Sequence, residues 1–412
     1  GEIRFESDSI GELAVPKNAY YGVQSLRASM NFPITEKKIH KNLVINLARI
    51  KKAAAFANTK IGELDPEIAR KIIAACDEII NGYYYSEFIV DAIQGGAGTS
   101  ANMNANEVIA NRAIELMGGV KGDYSIVHPN DHVNRSQSTN DVFPTAGRLT
   151  TLELIAPMVR ALKYLIDTTQ AKAEEFYPVF KIGRTQLQDA VPIRLGQSFS
   201  AVASALNRDI AKVRQAMHAL QIVNLGGTAI GTGINAPLPY REIVVDELSR
   251  VCGIALKPAS DLIDATQNLD DFIEISGALK SISVTLNKFA NDLRLLSSGP
   301  GAGLNEINLP PVQNGSSIMP GKVNPVIPEA VNQVCFNVIG NDITITMAAS
   351  NGQLELNAFE PVLFYKLFES IDTMKNILMI FADQCVAGIT VNTDIMKHNL
   401  DHSTYLATAL AP

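Results

Sequence analysis

Apolar residues along this chain recur three and four positions apart, the spacing of a helix face, and they do so in long runs. Val44, Leu47, Ile50 and Ala54 share one face of a helix expected over 41–57. Asp65-Pro66-Glu67 reads as the next helix start, with a capping carboxylate, proline at the first helical position and an acid in the first turn. Ile68, Ile72, Cys76 and Ile79 continue that face, and Gly82 ends it. From about residue 145 the stripes lengthen. Leu152, Ile155, Val159, Leu162 and Ile166 form one, and Phe199, Val202, Leu206, Ile210, Val213, Met217 and Leu220 a second. Phe272, Ile275, Leu279, Ile282, Leu286, Phe289, Leu293 and Leu296 form a third in alternating steps of three and four. That is a heptad repeat, predicting a helix of about 37 Å. Phe364, Leu367, Ile371, Met374, Leu378, Phe381 and Cys385 form a fourth, ended by Gly388. Helices this long and apolar bury more surface than one chain easily covers, so the expectation is a mainly all-α protein whose central bundle forms between copies. Residues 1–36 show no sustained period and read as an ordered N-terminal arm.

Composition narrows the class. The chain has 412 residues, 47% hydrophobic and 19% charged, which is ordinary for a soluble globular protein with a large core. A net charge of −7 without a basic cluster argues against nucleic acid and anionic membranes as partners. No run of about 18 apolar residues suggests a membrane span, and no basic-then-apolar leader opens the sequence. Cys76, Cys252, Cys335 and Cys385 are far apart, without a Cys-x-x-Cys pair, so a disulfide framework and a zinc site are both poor readings. A reducing cytoplasm fits best.

The candidate chemistry lies where the periodicity breaks. Gly315-Ser316-Ser317-Ile318-Met319-Pro320-Gly321-Lys322-Val323-Asn324-Pro325 carries two glycines, two prolines, two hydroxyls, a cation and an amide. It is suited to offering backbone N–H groups, Ser316 and Lys322 to an anion. A phosphate loop would need four residues between its glycines and a hydroxyl after the lysine; here five intervene and Val323 follows. Gln94-Gly95-Gly96-Ala97-Gly98-Thr99-Ser100 places three glycines before a helix start, either an anion-facing end or a plain tight turn. Ser138-Thr139-Asn140 offers two hydroxyls and an amide, with helix capping as the simpler role. His128 and His132 flank Asp131, but no further metal ligand stands at helical spacing, and capping is again simpler. Gly231-Thr232-Gly233-Ile234-Asn235-Ala236 matches a dinucleotide fingerprint but follows a helix, so it reads as a turn between helices.

The stretch from Gly315 to Pro325 resembles the signature of the fumarase/aspartase superfamily, enzymes that eliminate a group beta to a carboxylate and release fumarate. The likeness runs from about residue 3 to the end. Within the family, Tyr20-Tyr21-Gly22-Val23-Gln24-Ser25-Leu26-Arg27, Ser138-Thr139-Asn140 and Leu356-Asn357-Ala358-Phe359-Glu360-Pro361 resemble the aspartase branch. Gly183-Arg184-Thr185-Gln186-Leu187-Gln188-Asp189-Ala190-Val191-Pro192 discriminates further. Fumarases carry His at Gln186, assisted by a Glu at Glu329, and a Gln amide does not titrate to serve as a base.

The resemblance implies a multi-domain lyase with a central long-helix bundle in a homotetrameric core and active sites shared between three subunits. The expected domains are 1–136, a mainly helical N-terminal domain, 137–391, the bundle, and 392–412, the start of a small C-terminal helical domain whose remainder is absent. The implied reaction converts L-aspartate to fumarate and ammonia, with fumarate hydration or a catalytically silent structural role as alternatives. By family pattern Ser316 is the base, assisted by Lys322 and the N–H groups of Ile318 and Met319. Thr99, Ser138, Thr139 and Ser317 hold the carboxylate that becomes the aci-form. Lys322, Asn324 and Thr185 hold the other carboxylate, and Asn140 and Gln186 meet the ammonium. No organic cofactor is implied, and activation by a divalent metal such as Mg is left open.

Overall fold

The computed structural model describes residues 1–315, 318–319 and 321–404. In chain order the elements are β1 (Ile3–Ser7), β2 (Glu12–Pro16), α1 (Val23–Asn31), α2 (Lys41–Lys60), α3 (Pro66–Ile80), α4 (Thr99–Leu116) and α5 (Thr139–Glu175). Next come β3 (Phe180–Thr185), β4 (Gln188–Arg194), α6 (Leu195–Leu220), β5 (Ile222–Val223), α7 (Leu238–Cys252), β6 (Lys257–Pro258), α8 (Leu262–Gln267) and α9 (Asp270–Leu296). The chain continues through β7 (Ile307–Asn308), α10 (Val326–Ser350), α11 (Glu360–Gln384), β8 (Thr390–Val391) and α12 (Thr393–Asp401). Helices dominate, and each apolar stripe falls on one of them. Among the described residues the strands form two-stranded pairs. Residues 3–16 and 180–194, without a strand-like period, form antiparallel hairpins. Gly231–Ala236 is irregular chain between α6 and α7, as its context implied.

The fold divides into two compact units. Unit 1 comprises 1–153, 216–274 and 343–368; unit 2 comprises 154–215, 275–342 and the chain from 369 on. In unit 1, α2 packs on α3, and Leu47, Ile50, Ile72, Cys76 and Ile79 of these helices are all buried. Asp65 caps α3 as expected, accepting from the N–H of Glu67 (2.9 Å) and Ile68 (3.2 Å). Helix α4 is buried along most of its length, so its polar residues must find partners inside. Asn104 accepts from Ile89 N–H and donates to the Glu87 carbonyl, and Asn111 donates to the Tyr20 carbonyl. Glu107 accepts from the N–H groups of Gln24 and Ser25, capping α1.

In unit 2 a chain of rings, Phe176–Phe199–Phe289–Phe381, runs between helices at centroid distances of 5.3, 5.8 and 5.3 Å. Buried acids cross-link the same helices. Asp209 of α6 accepts from Ser281 (2.6 Å) and Thr285 (2.7 Å) of α9, and Asp342 of α10 accepts from Ser276 (2.7 Å) of α9.

Phe364 marks the tightest helix contact in unit 1. It lies 5.2 Å from both Phe143 and Phe272 and stacks on Phe368. A Cβ on Gly147 would stand 1.9 Å from the Phe364 ring. Alanine is worth up to about 1 kcal/mol over glycine in a helix. Forcing atoms into a packed core costs about 1–3 kcal/mol, which wins here. Gly147→Ala is therefore expected to destabilise by about 1–2 kcal/mol in urea unfolding. Adding Phe364→Leu should recover part of that loss as a coupling of at least about 0.5 kcal/mol, and simple additivity would refute the contact.

Candidate active site

In unit 1 the candidate hydroxyls sit at the starts of α4 and α5. Gly96, Ala97 and Gly98 all take positive φ, which turns the chain sharply into α4 with Thr99 as its first residue. Gly98 is required by contact as well. A Cβ there would lie 2.4 Å from Phe143 of α5, so the absent side chain lets α5 lie against the start of α4. The Thr99 hydroxyl donates to the Gly96 carbonyl (2.7 Å) and stays exposed. Asn102 donates to the Thr139 hydroxyl (3.1 Å), tying the two helix starts together. Ser138 both caps and is capped: its hydroxyl accepts from Asn140 N–H (3.1 Å) while its N–H donates to Asp141 (2.9 Å). Asn140 donates to the Ala229 carbonyl (2.7 Å), which fixes its amide. The capping role expected of Ser138 is thus present in the structure. The dipoles of two helix starts favour negative charge here.

Beneath these groups lies a charge that the sequence pattern did not single out. Lys51 is 0% exposed, and its ammonium donates to the side-chain oxygens of Asn102 (2.7 Å), Asn134 (2.9 Å) and Gln137 (2.9 Å). Burial pulls its pKa down to about 7, against the attraction of Asp141. Asp141, also 0% exposed, accepts from Ser138 and Gly226 N–H, and burial pushes its carboxyl up to about 6. The only signal in the sequence was a lysine adjoining the apolar face of α2, in a Lys51-Lys52 pair that looks like surface.

The His128–Asn134 turn is a short π-helical segment whose first residue caps it. His128 Nδ1 accepts from Asn130 and Asp131 N–H, both at 3.1 Å. It borders a cavity of about 550 Å³ in unit 1 with Asp8, Arg27, Ser100 and Glu107 on its walls. Arg27 is already paired with Asp8 at 2.9 Å, and no candidate residue lines this space.

In unit 2 Thr185 and Gln186 lie at the tip of the β3–β4 hairpin. Thr185 pairs with Gln188, so Gln186 and Leu187 make a two-residue turn, with φ of 55° and 64°. That is the primed turn geometry that suits strand twist and usually recruits Asn or Gly. Here the strain falls on ordinary residues at an exposed tip, a pattern found where geometry serves a site.

Ser316 and Ser317 lie outside the described residues. The ends of their loop are clear. A Cβ on Gly315 would stand 2.0 Å from the Lys322 carbonyl, so the loop closes on itself at its neck. Lys322 N–H donates to the Met319 carbonyl (3.2 Å), and Gly321 takes φ of 81°. Ile318, Met319, Lys322 and Asn324 are exposed, and Glu329 sits half-buried in the first turn of α10. Of the candidates, then, Thr99, Ser138, Thr139 and Asn140 belong to unit 1, while Thr185, Gln186, the 315–325 loop and Glu329 belong to unit 2. Among the described residues no group of three or more His, Cys, Asp or Glu is placed to hold a metal ion.

A family profile described as lyase matches residues 11–340. Aspartate ammonia-lyases of Bacillus subtilis and Helicobacter pylori are each 52% identical, across 100% of this chain and 86–88% of their own. That of Escherichia coli is 49% identical, across 100% of this chain and 86% of its own. The chain is a lyase of the fumarase/aspartase superfamily. The solved structures agree. A Brucella melitensis structure titled fumarate lyase:delta crystallin bound to cobalt is 53% identical with a TM-score of 0.97, covering 99% of this chain and 89% of its own. A class II fumarase of Schistosoma mansoni is 36% identical at the same TM-score and the same coverage.

The lyase carries a third buried charge at Glu360, the acid of its Leu356–Pro361 segment. One of its oxygens, Oε2, meets no hydrogen-bond partner among the described residues. Burial pushes its carboxyl up to about 8, with Arg148 pulling the other way. Arg148 itself pairs with Asp271 at 2.8 Å. An acid raised in the folded state contributes stability that is full below its ordinary value of 4.5 and is lost as pH rises through 8. Glu360→Gln should therefore match the parent at pH 5. It should lose less stability than the parent by pH 8.5, by on the order of 2–4 kcal/mol in urea unfolding. Parallel losses in both proteins would show that Glu360 ionises in an ordinary way.

Proposed function

We propose that this lyase catalyses the reversible elimination of ammonia from L-aspartate to give fumarate. The observation that carries the reading is the full-length likeness to aspartate ammonia-lyases at about half identity, joined to Gln186 at the hairpin tip. Fumarate hydration by the usual route wants a titrating imidazole there, and an amide only donates and accepts hydrogen bonds.

The C3 proton of aspartate is weakly acidic, so removing it requires a dianionic aci-carboxylate to be stabilised by fixed donors. In this reading Thr99, Ser138, Thr139 and the N–H of Ser317 hold that carboxylate. The helix-start dipoles and the buried Lys51 support the reading on the unit 1 side. Lys322, Asn324 and Thr185 hold the second carboxylate, while Asn140 and Gln186 meet the ammonium. Ser316 takes the proton. A serine hydroxyl is too weak a base unaided, and Lys322 with the N–H groups of Ile318 and Met319 lowers its pKa. Glu329 plays a secondary part. The chemistry uses no organic cofactor.

The working form is a homotetramer with sites shared between three subunits. A stripe of exposed apolar residues on α10, Phe336, Ile343 and Met347 at 60–62% exposure, supports that assembly. The four free thiols suit a reducing cytoplasm. No helix among the described residues is long and apolar enough to cross a membrane.

Fumarate absorbance after adding L-aspartate, or separately L-malate, to the purified protein tests the reaction. A rise with aspartate alone is expected, and a rise with malate alone would assign a hydratase. Ser316→Ala should cut aspartate turnover by about 10²–10⁴-fold with an unchanged sedimentation profile. Turnover within a few-fold of the parent would remove Ser316 from the role of base.

A further inference from the structure

The lysine buried beneath the two helix starts orders the amides around it. Lys51, Asn102, Asn134, Gln137 and Thr139 all belong to unit 1. A lysine ammonium has three N–H donors and no acceptor. Those of Lys51 meet Asn102 Oδ1 at 2.7 Å, Asn134 Oδ1 at 2.9 Å and Gln137 Oε1 at 2.9 Å. Two of these amides are set from their other ends as well. Gln137 Nε2 donates to the carbonyls of Val133 (3.1 Å) and Arg135 (3.0 Å), and Asn134 Nδ2 donates to the Gln137 carbonyl (3.4 Å). Backbone carbonyls only accept, so both side chains must turn their oxygens to Lys51. Three oxygens around one nitrogen call for three hydrogens, so the cradle is complete only with the ammonium.

Asn102, buried on α4, is the amide whose direction matters for the site. With its oxygen on the ammonium, its Nδ2 faces the other way and donates to Asn134 Oδ1 (3.3 Å) and to the Thr139 hydroxyl (3.1 Å). Asn134 Oδ1 is already fixed as an acceptor, so both neighbours impose the same orientation on Asn102. A hydroxyl carries one hydrogen and can also accept. Because Thr139 Oγ1 accepts from Asn102, its own hydrogen is left to point elsewhere. With the amide reversed, Asn102 Oδ1 would face Thr139 and take that hydrogen. Asp141, two residues along α5, attracts Lys51 and accepts from the N–H groups of Ser138 and Gly226. The charge that orders the amides is thereby tied to the backbone at the start of α5.

We infer that Lys51 and Asn102 are positioning residues for the elimination: the ammonium fixes the direction of the Asn102 amide, and the amide holds the Thr139 hydroxyl as an acceptor on its protein side, so that its hydrogen is given to the substrate carboxylate. The inference rests on the proposed function at one point, the assignment of Thr139 to the carboxylate that becomes the aci-form. That carboxylate gains negative charge as the C3 proton leaves, so a donor held ready counts for more in the transition state than in the ground state. A hydroxyl free to choose would divide its hydrogen between the amide and the substrate. The run of donors from Lys51 through Asn102 to Thr139 removes that choice, and hydrogen bonds that run one way strengthen one another.

Asn102→Asp tests this directly, because a carboxylate keeps the shape and the contact with Lys51 but only accepts. It would draw the Thr139 hydrogen away from the substrate. Asn102→Asp, Lys51→Met, Thr139→Val and the double variant Asn102→Asp/Thr139→Val are each assayed on L-aspartate. Each is also titrated calorimetrically with succinate, a dicarboxylate without a leaving group. Asn102→Asp should weaken succinate by about tenfold and lower kcat/KM by about 10²-fold, the larger loss falling on the reaction. Lys51→Met should act in the same direction but less strongly, since its Asn102 is free to take either orientation. The new carboxylate also places negative charge near an anionic substrate, and the double variant separates the two effects. Acting through the hydroxyl, Asn102→Asp should cost no more than about a further threefold in the Thr139→Val background. An equal loss in both backgrounds would mark charge alone and overturn the inference, as would parent-like succinate affinity in folded Asn102→Asp. Far-UV circular dichroism and sedimentation identify any variant that fails to fold, and Lys51→Met in the same two backgrounds carries the test if Asn102→Asp does. A parent that binds succinate but turns over neither aspartate nor malate would refute the proposed reaction while leaving the direction of the hydroxyl measurable by the same titrations. A parent that binds no succinate would overturn the inference.

Discussion

Phe143 lies where a side chain on Gly98 would have to be, and that close approach organises unit 1. It sets α5 against the beginning of α4, so two helix starts face one place. The Asn102–Thr139 hydrogen bond then fixes their register. The same ring touches Phe364 of α11, which in turn leaves no room for a side chain on Gly147. Two missing side chains and one stack of phenylalanines thus decide where the hydroxyls of Thr99, Ser138 and Thr139 stand. Their individual hydrogen bonds are worth about 1 kcal/mol each, too little to impose this arrangement without the packing.

The second constraint is charge without water. Lys51, Asp141, Glu306 and Glu360 are all buried or nearly so, and a buried ion costs several kcal/mol unless matched. The structure answers in three ways. Lys51 receives three amide oxygens, which accept from its ammonium, yet burial still draws its pKa down to about 7. Glu306 receives a guanidinium fork from Arg184, which neutralises it and fixes direction. Glu360, pulled the other way by Arg148, responds to burial by holding its proton more tightly. A charge cradled by amides, a charge that orients and a charge that is suppressed are three treatments of the same expensive group.

The helical half of this architecture was legible in the sequence because its signals are periodic and local. The stripe from Phe272 to Leu296 became α9 almost residue for residue, and Asp65-Pro66 started α3. Helix α10 escaped because it is apolar on more than one face: Cys335 and Val338 point inward while Phe336, Ile343 and Met347 point outward. The hairpins escaped because their strands are short and half-exposed, and because the turn at Gln186-Leu187 lacks the Asn or Gly that marks such turns. At the site, the aperiodic stretches were visible as oddities of composition, but their roles came from family resemblance. Nothing local distinguishes Lys51 from a surface lysine, since its partners arrive from 51, 83 and 86 residues away. Arg184 and Glu306, 122 residues apart, are the same case.

In the proposed reading, the choice of donors follows from the chemistry they would face. Thr99, Ser138, Thr139, Asn140, Thr185, Gln186 and Asn324 are neutral at any working pH. A site that must admit a dianionic acid carrying an ammonium cannot be lined with fixed charges of one sign without repelling part of its substrate. Neutral dipoles avoid this. Held by the fold, they present an N–H, an O–H or an oxygen to the group they face, and they do not lose their role when a proton moves nearby. Ionisable groups are few: Lys322 on an exposed loop, and Lys51 with Asp141 buried behind the helix starts. In such an arrangement the extra negative charge of the aci-carboxylate meets dipoles already oriented by the fold, which is the condition under which electrostatic stabilisation lowers a barrier instead of merely tightening binding.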